Sequence, residues 1–289
     1  MQEFLHEAVH ILCHPFLETL KMAPVLFLAY LFMEWLEQKE GSKIAENMKK
    51  LKKSGPLFGA LVGIIPQCGF SGAIAGMYAA GTVTAGTLIA VMLSTSDEML
   101  PVLVSARLPI LSIGLILALK LIIGIICGFG ADIVIHKKNA EQEGDIHDFC
   151  LREHCSCKDG ILLSALKHAL KILGIIFIVS VALHIAVDLI PEESLKTILN
   201  FPVLSQIISA LIGLIPSCAV SVTLTNLYVN GALGFSSLLV GLLTNGGIGL
   251  LVLFRQNRSR KNSFFVTVLL FMSGLIFGSV FGLLFEGIL

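Results

Sequence analysis

Two short stretches carry the residue types that do chemistry within an otherwise apolar chain: LVGIIPQCGF at 61–70 and LIGLIPSCAV at 211–220. Each sets a cysteine two residues after a proline. Pro66, Gln67, Cys68 and Ser71 stand in the first copy, and Pro216, Ser217, Cys218 and Ser221 in the second. Proline withdraws a backbone donor and releases the carbonyl four residues earlier, so a helix breaks there. A broken helix inside a membrane exposes polar backbone to a cargo, and a cysteine thiolate adds a soft ligand for a thiophilic metal or metalloid. The plainer reading makes each cysteine a small buried hydrophobe. Two of them at equivalent places, each behind a helix-breaking proline, favour substrate binding.

A second pair of stretches offers oxygen. LSTSDEML (93–100) aligns with LTNGGIGL (243–250), which sets Ser94, Thr95 and Ser96 against Thr244, Asn245 and Gly246. Hydroxyl and amide oxygens suit a hard cation or an oxyanion. Asp97 and Glu98 break the symmetry, either as costly groups at membrane depth or as part of a solvated loop. Glu34 aligns with His184. The two form a candidate proton-coupling pair, because a histidine titrates near neutrality and burial raises a glutamate towards it. Snorkelling to the surface is the alternative for Glu34, and Lys120 presents the same choice. Five further candidate ligands, His147, Cys150, His154, Cys155 and Cys157, crowd the polar loop DIHDFCLREHCSCKDG. Such side chains suit zinc-like ions, although their spacing matches no zinc-finger pattern.

The elements that must position these groups are membrane segments. Of 289 residues 55% are hydrophobic and only 14% charged, with a mean hydropathy of +0.89. Residues 55–96 and 201–254 contain no Asp, Glu, Lys, Arg or His. One helical crossing takes roughly 20 apolar residues, so the chain reads as an all-α polytopic membrane protein. Basic stretches at 37–53, 136–160 and 255–262 belong in the cytoplasm by the positive-inside rule. The apolar run 17–36 then travels inward, 55–107 ends outside, 109–132 returns, 161–189 leaves, 202–254 returns, and 263–285 leaves. Both termini are expected outside. Residues 1–16 read as a surface amphipathic segment rather than a signal peptide.

The chain also repeats itself. Shifted by 150, residues 60–104 match 210–254 without a gap at 14 of 45 positions, including Pro66, Cys68, Ser71, Tyr78 and Gly81. Under the topology above, 17–36 and its counterpart near 167–187 run in opposite senses, which makes the copies inverted. Within each copy, 55–66, 69–80, 84–94 and 98–107 are too short to cross a bilayer. They suit broken or re-entrant helices lining a protein interior. The expected organisation is an amphipathic segment (1–16), a first membrane repeat (17–132), a Cys/His-rich cytoplasmic linker (133–160) and an inverted second repeat (161–289). About ten membrane segments result.

No GxxxxGK[ST] phosphate loop, Ser-His-Asp set or HExxH helix occurs, so a transporter is expected rather than an enzyme. The blocks LETLKMAPVLFLAYLFMEWLEQ, GIIPQCGFSGAIAGMYAAGTVTAGTLIAVMLSTSDEMLPVL and GLIPSCAVSVTLTNLYVNGALGFSSLLVGLLTNGGIGLLVLF, with the Cys/His loop before KHALKI, resemble one bacterial family. It is the arsenic-permease-like ten-span heavy-metal exporter family, whose members are also described as manganese transporters. The resemblance implies export of a heavy metal or metalloid across the bacterial cytoplasmic membrane. By position it points to Cys68, Ser71, Tyr78, Ser94, Asp97, Glu98, Cys218, Ser221 and Tyr228. Ala219 stands where Gly69 follows the first cysteine, which leaves the two half-sites inequivalent.

Three functions are weighed. The first is secondary export of manganese, a zinc-like ion or arsenite through a midplane site between the repeats. The second is a permease for an organic anion or organoarsenical, met by half-helix N-termini. The third, of another class, is a metal-responsive sensor using the 147–157 loop. No resident cofactor is expected, a metal ion entering as cargo or in that loop. The expected partners are the cargo and the lipid bilayer, not nucleic acid, and homo-oligomerisation stays open.

Overall fold

The computed structural model describes residues 54–65, 69–96, 99–136, 202–257 and 259–285, with helical positions scattered through 16–31 and 162–181. Among these, ten labelled helices run in chain order. They are α1 (Gly55–Gly63), α2 (Gly69–Ala79), α3 (Ala85–Ser94), α4 (Met99–Ser105), α5 (Ile110–His136), α6 (Pro202–Gly213), α7 (Cys218–Val229), α8 (Phe235–Thr244), α9 (Ile248–Gln256) and α10 (Arg260–Phe285). No strand occurs among the described residues. Helices α3 and α8 begin and end 150 residues apart, and so do the starts of α5 and α10.

Local sequence explains where the helices stop. After α2 the chain turns through Gly81 at φ +76°, and after α7 through Gly231 at φ +71°. Both turns close in the same way. Thr82 N donates to Met77 O and Gly81 N to Tyr78 O, while Ala232 N donates to Leu227 O and Gly231 N to Tyr228 O. This pairing of a six-to-one with a five-to-two bond needs a left-handed residue, which glycine adopts without penalty. At the start of α3, Thr84 Oγ1 accepts from Thr87 N at 3.1 Å. Asp132 of α5 accepts from Gly86 N at 2.7 Å and from Thr84 Oγ1 at 2.9 Å. A carboxylate at a helix N-terminus is favoured by the peptide dipoles and fills orphan donors.

Packing is reciprocal between the two sets. α1 and α5 lie against α3, and α6 and α10 lie against α8. α2 crosses to pack on α9, while α7 crosses to pack on α4. Helices α3 and α8 touch each other, and every residue of both is buried. They form the centre.

Close approach is achieved by small residues at four-residue steps. Gly124 and Gly128 of α5 face Ala90 and Gly86 of α3, and Gly274, Gly278 and Gly282 of α10 face Thr244, Val240 and Ser236 of α8. Between apolar helices in lipid, such stripes permit the van der Waals contact that replaces a hydrophobic driving force. The opposite faces of α5 and α10 expose Ile122, Ile126 and Ile133, and Met272, Ile276 and Val280. At 27 and 26 residues, a rise of 1.5 Å per residue gives each about 40 Å, enough to cross a bilayer.

Four stretches among the described residues are long and apolar enough to span a membrane: Ala85–Ser105, Ile110–Ile135, Phe235–Gln256 and Arg260–Phe285. Two of them hold a helix end inside. α3 stops at Ser94 before α4 starts at Met99, and α8 stops at Thr244 before α9 starts at Ile248. The short pieces expected at 84–94 and 98–107 are therefore helices, and together they occupy one span-length stretch.

Candidate functional site

The breaks after α3 and α8 each hold oxygen-bearing residues in the buried interior. Ser94, Thr95 and Ser96 are at most 4% exposed, and Thr244 and Asn245 at most 3%. Ser94 Oγ donates to Ala90 O at 2.8 Å and lies 3.2 Å from Val91 O. At the matching place, Thr244 Oγ1 donates to Val240 O at 3.0 Å and lies 3.1 Å from Gly241 O. Thr95 Oγ1 donates to Val91 O at 2.6 Å, and Ser96 Oγ donates across to Ile64 O of the turn after α1 at 2.5 Å. Back-bonding of this kind satisfies the hydroxyl proton. A hydroxyl oxygen that donates in this way keeps its capacity to accept.

Two glycines make room for these hydroxyls. A Cβ on Gly63 of α1 would overlap Ser94 Oγ, and one on Gly213 of α6 would overlap Thr244 Oγ1. Helix α1 therefore ends against the end of α3, and α6 against the end of α8. The second break also relies on Gly247, at φ +53° and ψ −149°, a region closed to side-chain-bearing residues. Its N–H donates to Asn245 Oδ1 at 3.0 Å, so the amide oxygen is held in place by the turn.

The Ile-Pro-x-Cys break is visible in its second copy. α6 ends at Gly213, residues 214–217 turn, and α7 begins at Cys218. Ile212 O, the carbonyl that Pro216 cannot serve, accepts from Ile215 N at 3.0 Å. A tightened turn thus replaces the lost helical bond. Ser217 and Ser221 are buried, and Ser221 O accepts from Thr225 Oγ1 at 2.6 Å. In the first copy, Ser71 is fully buried, and its backbone lies against Gly249 of α9. Pro66, Gln67 and Cys68 lie outside the described residues, as do Asp97, Glu98, Glu34, His184 and the loop ligands His147, Cys150, His154, Cys155 and Cys157. So does the Cys218 side chain. Among the described residues no group of three His, Cys, Asp or Glu side chains is placed to hold a metal ion.

Lys120 does not snorkel. It lies inside α5 at 1% exposure, and its Nζ donates to Leu242 O of α8 at 2.9 Å. That carbonyl belongs to the last turn of α8, two residues before Thr244. Carbonyls at a helix C-terminus carry partial negative charge and welcome a cation. The sequence marks Lys120 as the lone charge within residues 108–131, but only the fold gives it a carbonyl 122 residues away. Tyr78 makes a second long-range contact, its hydroxyl accepting from Asn262 Nδ2 of α10 at 2.8 Å.

A family model described as "Putative, 10TM heavy-metal exporter" matches residues 8–201. The match takes in α1 to α5 and ends just before α6, so the likeness of the second half rests on its own residues. No curated protein and no solved structure matches the chain. With more than half of its length covered by that model, the chain belongs to this multi-span heavy-metal exporter family.

Proposed function

We propose that the protein is a secondary exporter whose cargo, a heavy-metal ion or metalloid, binds between two inverted repeats at the breaks after α3 and α8. The observation that carries this reading is the pair of buried, matching helix ends, Ser94 and Thr244, each wedged against a glycine of a neighbouring helix. Helix ends at membrane depth are tolerated where they line a cavity or serve a bound ion. Oxygen ligands come from Ser94, Thr95, Thr244 and Asn245. Sulfur ligands come from Cys68 and Cys218 when the cargo is thiophilic. Manganese favours the first set, arsenite and zinc-like ions the second.

Rocking of one repeat against the other exposes the site alternately to the two sides of the bacterial cytoplasmic membrane. The driving force is a proton gradient or the membrane potential, with Glu34 and His184 as the candidate proton carriers. Both termini face the exterior.

The Lys120 ammonium favours a second reading, a permease for an organic anion or organoarsenical. Its Nζ donates to the carbonyl two residues before Thr244, and a cation placed there attracts an anion and repels a bare divalent cation.

Full-length protein in liposomes loaded with Mn²⁺, Zn²⁺, arsenite or an organoarsenical tests both readings. Flux of an ion or arsenite, reduced about tenfold by Thr244→Ala through the loss of roughly 1.4 kcal/mol of ligation, is the expected result. Flux untouched by Cys68→Ser and Cys218→Ser removes the thiolate ligands and leaves the oxygen set. Flux of the organoarsenical alone, abolished by Lys120→Met, selects the second reading. No flux of any cargo, with metal bound by the chain but not by a 147–157 deletion, selects the sensor.

A further inference from the structure

Helix α6 is polar on the side it buries. Val203, Leu204, Ile207 and Leu211 point outward and are exposed, whereas Ser205, Gln206 and Ser209 are buried at 2%, 8% and 0% exposure. The buried face lies against α8, where Ser236 and Ser237 are also buried. Gln206 Nε2 donates to Ser236 Oγ, and Gln206 Oε1 accepts from Ser279 Oγ of α10, both at 2.8 Å. Among the described residues Ser205 Oγ and Ser209 Oγ have no hydrogen-bond partner.

Two such hydroxyls, one helical turn apart on the same face, are costly. A buried hydroxyl without a partner loses its bonds to water and gains nothing in return. Native interiors meet this by placing a partner there, and where the chain supplies none, ordered water commonly does. The direction of the seam is also defined. Ser209 packs on Gly241 of α8, and one turn further Gly213 packs on Thr244. From Ser205 to Gly213 the helix rises about 12 Å. The row of oxygens therefore starts near the beginning of α8 and ends at the Thr244 break.

The first half has no such row. The positions corresponding to Ser205, Gln206 and Ser209 are Gly55, Pro56 and Gly59, which pack directly on Thr87 and Val91 of α3. There the small residues bring α1 into direct contact with α3 and offer no side-chain hydroxyl. Contact alone would be served by glycine on both sides, so the hydroxyls of the second half need another reason.

We infer that the α6–α8 seam holds water molecules bonded to Ser205 and Ser209, on the side of the seam that leads from the start of α8 towards the Thr244–Asn245 half-site. Its ligand class is water, and through water a proton or the hydrated cargo. The seam's purpose rests on the exporter reading above, but its hydration does not.

The test uses Ser205→Cys and Ser209→Cys in the full-length protein in liposomes, exposed to 2-aminoethyl methanethiosulfonate. Adducts are located by mass spectrometry at the introduced residue, so native cysteines do not interfere. Val240→Cys, equally buried on α8, is the dry reference. Both seam cysteines are expected to react at least tenfold faster than residue 240. Reaction no faster than at 240 overturns the inference. A Ser205→Ala/Ser209→Ala double variant gives an independent sign. If the seam is dry, removing two unpartnered hydroxyls raises the melting temperature; if it is hydrated, the temperature stays level or falls. Labelling without flux of any cargo leaves the seam standing and removes the exporter reading, and flux without labelling does the reverse.

Discussion

Helices α1–α5 and α6–α10 share a scaffold and differ in their polar groups, and the division is informative. Shared features are the glycine turns at Gly81 and Gly231, the back-bonded Ser94 and Thr244, and the glycines at 63 and 213 that admit them. All of these concern backbone geometry or close approach. Among the unshared positions are those that carry charge or spare hydrogen-bonding groups. Lys120 corresponds to Leu270, Asp132 to Gly282, and Gly55, Pro56 and Gly59 to Ser205, Gln206 and Ser209. Two copies that keep the skeleton while exchanging its polar groups form one centre with two unlike sides.

The sharpest way to break the comparison is to copy the charge across. Leu270 is fully buried on α10 among apolar neighbours, so Leu270→Lys places an ammonium in a site packed for a leucine. A loss of about 3–5 kcal/mol is expected, as for a buried charge without its partner. Thermal unfolding in detergent measures it, and a variant as stable as wild type shows that the two halves are interchangeable at this point.

Next in size are the glycines at the breaks. Gly63→Val and Gly213→Val each force a side chain into the hydroxyl of Ser94 or Thr244, at an expected cost of about 1–3 kcal/mol. The comparison predicts similar losses for the pair. A large loss at one and none at the other would separate the two breaks mechanically.

The glycine turns come third. Gly81→Ala and Gly231→Ala require a left-handed alanine, and each is expected to lower stability by roughly 1–2 kcal/mol, again read by thermal unfolding. The smallest effect belongs to Asp132→Asn. It keeps an acceptor for Gly86 N while the new amide NH2 must donate to Thr84 Oγ1 in place of the bond Asp132 accepts there, and it removes the charge facing the helix dipole, which is worth about 0.3–1 kcal/mol. No substitution at Gly282 can mimic it, since a Cβ there meets Ser236 Cα at 2.5 Å.

Much of the scaffold was legible in the chain. The uncharged stretches announced membrane helices, the 150-residue register placed α3 on α8, and the Ile-Pro-x-Cys motif marked the turn between α6 and α7. These are local signals, fixed by hydropathy, by proline's missing donor and by glycine's freedom at positive φ. Ser94, Thr95, Thr244 and Asn245 were likewise readable as polar residues stranded in an apolar run.

Less legible were the partners. Ser205, Gln206 and Ser209 do lie on one face of a helical period, but their spacing says nothing of whether that face meets lipid, α8 or water. Lys120 read equally well as a snorkelling side chain.

What the sequence by itself determined, then, is where helices run and where they break, because those follow from the chemistry of neighbouring residues. Only the tertiary structure decided that α3 and α8 are the buried centre, that Lys120 reaches Leu242 O, and that the polar face of α6 turns inward. Each of these depends on which helix lies opposite, and that choice is made by contacts between residues 30 to more than 140 positions apart.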